Sequence, residues 1–287
     1  MQENPSRDAR KSVRAGGSTI DAAARQAIVT GAASGIGRAV AGLLVKEGWQ
    51  VGLADIDEAE LGKLVRRLGK QAFALPSDVC NPDSITTLFE RFGERSNGRL
   101  DLLVNCAGLL YTGHFEDQPQ IQMARLLAVN NLGLALCCQT ALPLLRKSAD
   151  LGMRPVVVNL SSASAVLGIP SMATYSASKF WVRGFTEALA SEWARYGIAV
   201  RDIMPPFVNT PMLHGRADNL FVKRLGVNLD AEDVARQIIA AADGGPLHQP
   251  VSLQFKALLA VSRIVPAPVA RGVLSLIGGY PRTRIQQ

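Results

Sequence analysis

The chain is poor in the residues that staple or metallate a protein. Its 287 residues hold only four cysteines, Cys80, Cys106, Cys137 and Cys138, and three histidines, His114, His214 and His248. No Cys-x-x-Cys pair occurs, which excludes a disulfide framework and points to a reducing compartment, the cytoplasm. The histidines lie far from one another and from any cysteine cluster, so each reads as a surface or loop residue and no metal is expected. Acidic residues are missing altogether from 246–287, which carries Lys256, Arg263, Arg271, Arg282 and Arg284, while residues 1–26 carry only a small excess of positive charge. The net charge of +7 therefore belongs to the two ends. A basic stripe within the body, which a nucleic-acid partner requires, is absent. Long apolar runs are absent too. The first 26 residues are polar and include Glu3, Asp8 and Asp21, which argues against a secretory signal or a transit peptide. The greasy stretch 251–280 is interrupted by Lys256, Arg263, Pro266, Pro268 and Arg271, short of the roughly 20 uncharged apolar residues that span a bilayer.

What the chain does have is a 48% apolar composition, too high for a disordered polymer. Short apolar runs at 27–30, 50–54, 72–75, 102–105, 156–160 and 200–204 read as buried strands of a parallel sheet. Between them, periodic segments predict helices at 36–47, 58–68, 82–95, 120–145, 174–196 and 231–242, the last with Asp230 as its N-cap. This alternation predicts a single α/β domain, a doubly wound parallel sheet of the Rossmann type with a helical C-terminal extension. The expected boundaries are a mobile extension at 1–25, the dinucleotide-binding and catalytic body at 26–245, and an apolar, basic extension at 246–287.

Three local patterns carry chemistry. The first strand runs into Thr30-Gly31-Ala32-Ala33-Ser34-Gly35-Ile36-Gly37, which opens a helix. Glycines there let backbone N–H groups approach a diphosphate, and the helix N-terminus adds favourable partial charge. The second strand ends at Asp55, whose carboxylate can accept from both ribose hydroxyls of the adenosine and repels a 2′-phosphate. NAD is thus expected rather than NADP. Tyr175 and Lys179 stand four apart, on one helix face. A tyrosine that works as a base near neutral pH must be lowered by about three units, or roughly 4 kcal/mol, from its reference near 10. The nearby ammonium and an oxidised nicotinamide ring are expected to supply that. Ser162 closes the fifth strand, at the carboxyl edge where such sheets bind ligands, and can hold the substrate oxygen.

These residues resemble a known family, the single-domain short-chain dehydrogenases/reductases. Thr30–Gly37 is similar to the family's TGxxxGIG turn, and Asn105-Cys106-Ala107-Gly108 to its NNAG motif, with Cys106 replacing the second Asn. Asp78-Val79 resembles the pair that contacts adenine. Asn130 matches the helix asparagine of the family's catalytic tetrad, and Ser162, Tyr175 and Lys179 match its other members. Pro205–Thr210 resembles the PGxxxT segment, with Pro206 in place of Gly and with Val208 and Thr210 set to meet the nicotinamide carboxamide. The likeness covers about residues 26–243.

The resemblance implies a metal-free hydride transfer between NAD(H) and a secondary alcohol or ketone. Tyr175 acts as general acid/base, Ser162 fixes the oxygen, Lys179 lowers the tyrosine pKa and bonds the ribose, and Asn130 holds a proton-relay water. It also implies a homo-oligomer, dimer or tetramer. The segment 212–229, with His214, Phe221 and Val222, is expected to be a lid over a hydrophobic substrate. Two rival readings are a catalytically idle NAD-binding interaction protein and an NAD-recycling dehydratase or epimerase. The family commonly ends in a strand followed by Gly-Gly. Here a strand is expected at 250–254, and then two short helical stretches over 255–277 broken at Pro266–Pro268. For that tail three roles stay open: a dimer surface, a cover over the substrate entrance, or a patch resting on lipid headgroups, a peripheral membrane contact through 246–287.

Overall fold

The computed structural model describes residues 24–213, 224, 226–227, 229–262 and 264–280. The predicted N-terminal extension and most of the predicted lid, His214, Phe221 and Val222 included, lie outside the described residues. The chain runs β1 (Gln26–Thr30), α1 (Gly35–Lys46), β2 (Gln50–Asp55), α2 (Glu58–Leu68), β3 (Ala72–Pro76), α3 (Pro82–Arg95) and β4 (Leu102–Asn105). It continues through α4 (Gln120–Leu127), α5 (Leu134–Asp150), β5 (Val156–Leu160), α6 (Ala173–Trp193) and β6 (Ala199–Met204). The last elements are β7 (Val208–Asn209), β8 (Leu229–Asp230), α7 (Ala231–Asp243), β9 (His248–Pro250), α8 (Leu253–Ser262) and α9 (Ala267–Gly278).

Seven strands form one sheet in the order β3-β2-β1-β4-β5-β6-β9. Every pairing in it is parallel. Strand order reverses between β1 and β4, which opens a crevice at the carboxyl ends of those strands. Strand alternation sends Val29, Val51, Leu53, Val104 and Val158 to one face, under Val40 and Leu44 of α1 and Val234 and Ile238 of α7. Ile28, Leu103, Val157 and Val200 face the other way, onto α3, α5 and α6 through Phe92, Leu145, Val182 and Trp193. Both faces are covered, which is why the strands are apolar throughout rather than alternating. The predicted doubly wound sheet is the observed one.

Helix starts follow side-chain chemistry. Asp57 caps α2 by accepting from the Glu60 N–H at 3.0 Å, and Asn81 caps α3 through the N–H groups of Asp83 and Ser84. Asp230 opens α7 with a reciprocal capping box to Asp233, as its position before the apolar run predicts.

Two elements depart from the sequence reading. The helix expected over 120–145 is split by a π-helical stretch, Ala128–Gly133, and then runs on to Asp150. Tertiary contacts set that register: the Asn130 side chain is tied to the Leu109 backbone, and a Cβ on Gly133 would stand 2.8 Å from the Val79 carbonyl oxygen. Together these residues are long and apolar enough to cross a membrane, yet Leu134, Cys137, Cys138, Ala141 and Leu145 are core residues of the domain. The strand expected at 250–254 forms instead at His248–Pro250. The His248 ring bonds Asp202 on β6 at 2.8 Å, and the Ser252 hydroxyl accepts from the Phe255 N–H, turning the chain into α8. Pro250 sits on the outermost strand, where a missing donor is tolerated.

Candidate active site

The turn after β1 has the shape its glycines allow. Gly31 (φ +67°) and Gly35 (φ +49°) adopt left-handed backbone. A Cβ on Gly31 would lie 2.8 Å from the Ala107 nitrogen, and one on Gly37 would collide with the Gly31 carbonyl. The Thr30 hydroxyl accepts from the N–H groups of Cys106 and Ala107, both at 3.1 Å, so the ends of β1 and β4 are joined across the crevice. Ser34 stands at the N-cap of α1 without a capping bond. At the end of β2, Asp55 accepts from the Ala33 N–H (2.9 Å) and the Asp57 N–H (3.1 Å), which presents its carboxylate beside the glycine turn. Arg38, the basic residue next to the turn, is folded back against it and held there. Its guanidinium pairs with Glu60 at 2.7 Å and bonds the Ala33 carbonyl. Asp78 accepts from the Cys80 N–H at 2.8 Å.

Helix α6 carries Tyr175 and Lys179. Lys179 is buried, and one of its three N–H donors goes to the Leu160 carbonyl at 2.7 Å, which leaves the others to face the cleft. Its Nζ lies 5.6 Å from the centre of the Tyr175 ring. Burial pulls the ammonium down to a pKa of about 8, so it is still mostly charged at neutral pH. The Tyr175 phenol is hydrogen-bonded to Ser162, which favours the phenolate, but burial outweighs this and holds the group above its ordinary value. The depression predicted from sequence is therefore not a property of the chain alone. Among the described residues nothing positive touches the phenol closely enough to offset its desolvation. Ser162 follows β5, and its Oγ also accepts from the Ser164 N–H at 3.2 Å.

Asn130 is buried, with both amide donors in use, on the Leu109 carbonyl (3.0 Å) and the Ser178 hydroxyl (3.2 Å). Its Oδ1 accepts from the Leu109 N–H at 2.7 Å. The side chain thus staples the loop after β4 to α6, and it stands behind the cleft wall rather than in it.

The cleft is a cavity of about 1220 Å3. Among the sequence-predicted residues its lining includes Gly31, Ser34, Gly35, Ile36, Gly37, Asp55, Asp78, Val79, Ala107, Gly108, Ser162, Tyr175, Lys179, Val208 and Thr210. Asn105 is not among them. Its amide points into the core, donating to Asn159 Oδ1 at 2.9 Å and to the Cys138 sulfur at 3.3 Å, so it ties β4 to β5 and α5. Cys106 does line the cleft, and burial pushes its thiol up to about 12. Among the described residues no group of three or more His, Cys, Asp or Glu side chains is placed to hold a metal ion.

Much of the rest of the wall is apolar, with Arg125, Ser161 and Gln254 among its polar members. Leu110 and Met172 are buried together, with Ile169, Tyr175, Phe207 and Leu213 packed on them. The far side is built by the C-terminal helices, through Phe255 of α8 and Ala270, Leu274 and Ile277 of α9. Phe255 also packs on Ala165 and Met204. Beyond α9 the Tyr280 hydroxyl is bonded to Ser171 Oγ at 2.8 Å and to His114 Nδ1 at 2.9 Å, and Arg224 donates to the Ile277 carbonyl at 2.8 Å. Sequence reasoning missed His114, Ser171 and Tyr280. No spacing links positions so far apart, and only the positive φ of Ser171 (+64°) marks the site locally.

A glycine turn that admits no Cβ, a carboxylate held beside it and a Ser–Tyr–Lys group meet at the carboxyl edge of one parallel sheet, where such folds bind dinucleotides. Comparison with known proteins makes the class specific. Residues 25–220 match the family model for short chain dehydrogenase. The chain is 33% identical over 236 residues to the (3R)-3-hydroxyacyl-CoA dehydrogenase of Canis lupus familiaris, covering 76% of this chain and 90% of that one. It is 34% identical over 189 residues to the 3-beta-hydroxysteroid dehydrogenase of Comamonas testosteroni, covering 65% and 72%. Among solved structures, the NADH complex of 3-ketoacyl-(acyl-carrier-protein) reductase from Brucella melitensis superposes with a TM-score of 0.72 at 27% identity, covering 79% of this chain and 96% of that one. The chain belongs to the short-chain dehydrogenase/reductase family.

Proposed function

We propose that the chain is an NAD-dependent alcohol dehydrogenase/ketone reductase acting on a hydrophobic secondary alcohol or its ketone. The observation that carries this reading is the convergence of Ser162, Tyr175 and Lys179 on one cavity, beside the apolar cluster of Leu110, Met172, Ile169 and Phe207. The residues fit a nicotinamide dinucleotide: Gly31 and Gly37 keep clear a turn that any Cβ would obstruct, and Lys179 has donors facing the cleft. When bound, the nicotinamide supplies or accepts the hydride.

The chain's own residues manage the oxygen and its proton. Ser162 hydrogen-bonds the substrate oxygen, and the Tyr175 O–H donates to it as the carbonyl becomes an alcohol. Burial keeps that phenol protonated in the cofactor-free chain, which suits the reducing direction. Oxidation needs the phenolate, and Lys179 is the cation beside it. With its amide fully engaged, Asn130 is a positioning residue in this reading, and a relay water falls to its main-chain carbonyl.

NAD rather than NADP is supported by the Asp55 carboxylate and by the engagement of Arg38 with Glu60, which keeps that cation from a 2′-phosphate. A hydrophobic substrate is supported by the cavity wall and by the names of the two relatives, a hydroxyacyl-CoA and a hydroxysteroid dehydrogenase. Self-association is supported by exposed apolar side chains on the α4–α6 side, notably Leu132, Phe180 and Trp181. The four free thiols support a cytoplasmic location.

The test is Tyr175→Phe. The ring keeps its packing on Leu110 and Met172, so NADH binding followed by fluorescence should be unchanged. Turnover of a panel of hydrophobic ketones should fall by about 10²–10⁴-fold with loss of the proton donor. Wild-type turnover in this variant would end the assignment, and turnover confined to small polar polyols would end the substrate class.

A further inference from the structure

We propose that the outer face of the α8–α9 helix pair rests, parallel to the surface, on a membrane leaflet bearing anionic lipids. Helix α9 is apolar on both sides. Ala270, Leu274 and Ile277 line the cavity. One step round the same helix, Val269 and Leu276, which do not line the cavity, are 55% and 76% exposed, and Val273 at the cavity rim is 51% exposed. Ile264, in the link that precedes α9, is a further apolar side chain outside the cavity lining, at 84% exposed. A helix that is apolar all round is normally covered on every side. Among the described residues only the inner side of this one is covered, by the domain itself.

Length excludes crossing. The 12 residues of α9 reach about 18 Å at ~1.5 Å per residue, against roughly 30 Å of hydrocarbon. Charge selects the occupant. The only full charges in 246–287 are cations (Lys256, Arg263, Arg271, Arg282 and Arg284), and Arg271 is the sole charge on α9. A second copy docked on this face about a two-fold axis would set cations against cations, with no carboxylate from either segment to pair them. An anionic headgroup layer complements the same face, taking the cations at the phosphates and the aliphatic side chains at the acyl boundary. The inner side of this pair is a wall of the apolar cavity, so a substrate dissolved in the leaflet meets the protein where its cavity is roofed.

The experiment is cosedimentation of the full chain with phosphatidylcholine vesicles that do or do not contain phosphatidylglycerol. Preferential, salt-sensitive binding to the anionic vesicles is expected. Val269→Glu combined with Leu276→Glu, at two positions outside the cavity lining, should weaken that binding about a hundredfold, since each buried aliphatic side chain contributes roughly tenfold. Arg271→Glu should weaken it roughly thirtyfold by reversing one charge. NADH titration and a thermal melt confirm that the variants are folded. Three results would overturn the proposal: no binding to anionic vesicles, equal binding by the wild type and the double variant, or a concentration-dependent dimer that the double variant dissolves. The readout involves no turnover, so its failure leaves the assigned chemistry standing.

Discussion

Asp55→Asn is the substitution that asks most of the cofactor reading. The carboxylate accepts from two backbone N–H groups and offers its remaining lone pairs to the adenosine ribose. Hydrogen bonds to a charged acceptor contribute about 1.5–3 kcal/mol each, so loss of the charge should weaken NADH roughly ten- to a hundredfold. For NADPH the sign is opposite. A 2′-phosphate about 4 Å from the carboxylate meets about 4 kcal/mol of repulsion at an effective dielectric of ~20, and solvent screening at this half-buried site reduces it to about 2. Removing it strengthens NADPH by about thirtyfold. The two effects together swing the preference by about three orders of magnitude. Adding Glu60→Gln releases Arg38 from its ion pair and should strengthen NADPH further while leaving NADH unaffected. Parallel fluorescence titrations with the two reduced cofactors measure the ratio. A ratio that Asp55→Asn leaves unchanged would refute the placement of the ribose beside this carboxylate.

Two further outcomes concern the frame around the site. The His248 ring bridges Asp202 and Glu187, both at 2.8 Å, and its pKa is raised, chiefly by the bond to Asp202. A histidine with a raised folded-state pKa contributes stability that is fully present below its unfolded value near 6.5 and disappears as pH climbs through the folded one. Melting temperatures of the wild type and His248→Gln should therefore lie far apart at mildly acidic pH and converge at alkaline pH. A gap that widens with pH would reverse the argument. Phe92 is fully buried and stacks on Phe73 at 5.7 Å between ring centres, so Phe92→Ala should cost about 3–5 kcal/mol in denaturant unfolding. A much smaller loss would mean that α3 is not seated on the sheet as described.

The parts of this molecule legible in its sequence are those whose cause is local. Gly31, Gly35 and Gly37 mark a turn because no other residue fits there, and Tyr175 and Lys179 mark a helix face because four residues return the chain to the same side. Buried strands are legible because both sheet faces are covered. The π-helical stretch is not, since Asn130, Asn131 and Gly133 weaken a helix without setting its register; the cause is the grip of Asn130 on Leu109 across the domain. The shifted last strand has a comparable origin in the reach of His248 to Asp202. Asn105 belongs to a recognisable motif, yet its side chain serves the core, because adjacent strand residues point to opposite faces. The state of Tyr175 depends on which of burial and cation is stronger. The residue list names both and ranks neither.

The distribution of the four thiols has a practical consequence. Cys80 borders the cleft, whereas burial suppresses ionisation, and hence reactivity, of Cys106 in the cleft wall and of Cys137 and Cys138, each 1% exposed on the inner side of α5. A thiol reagent therefore meets two populations in one chain. Cys80 is the thiol whose labelling should respond to filling of the cleft. The inner pair is alkylated only when α5 lifts from the sheet, so its labelling rate times the opening of the domain without any introduced probe.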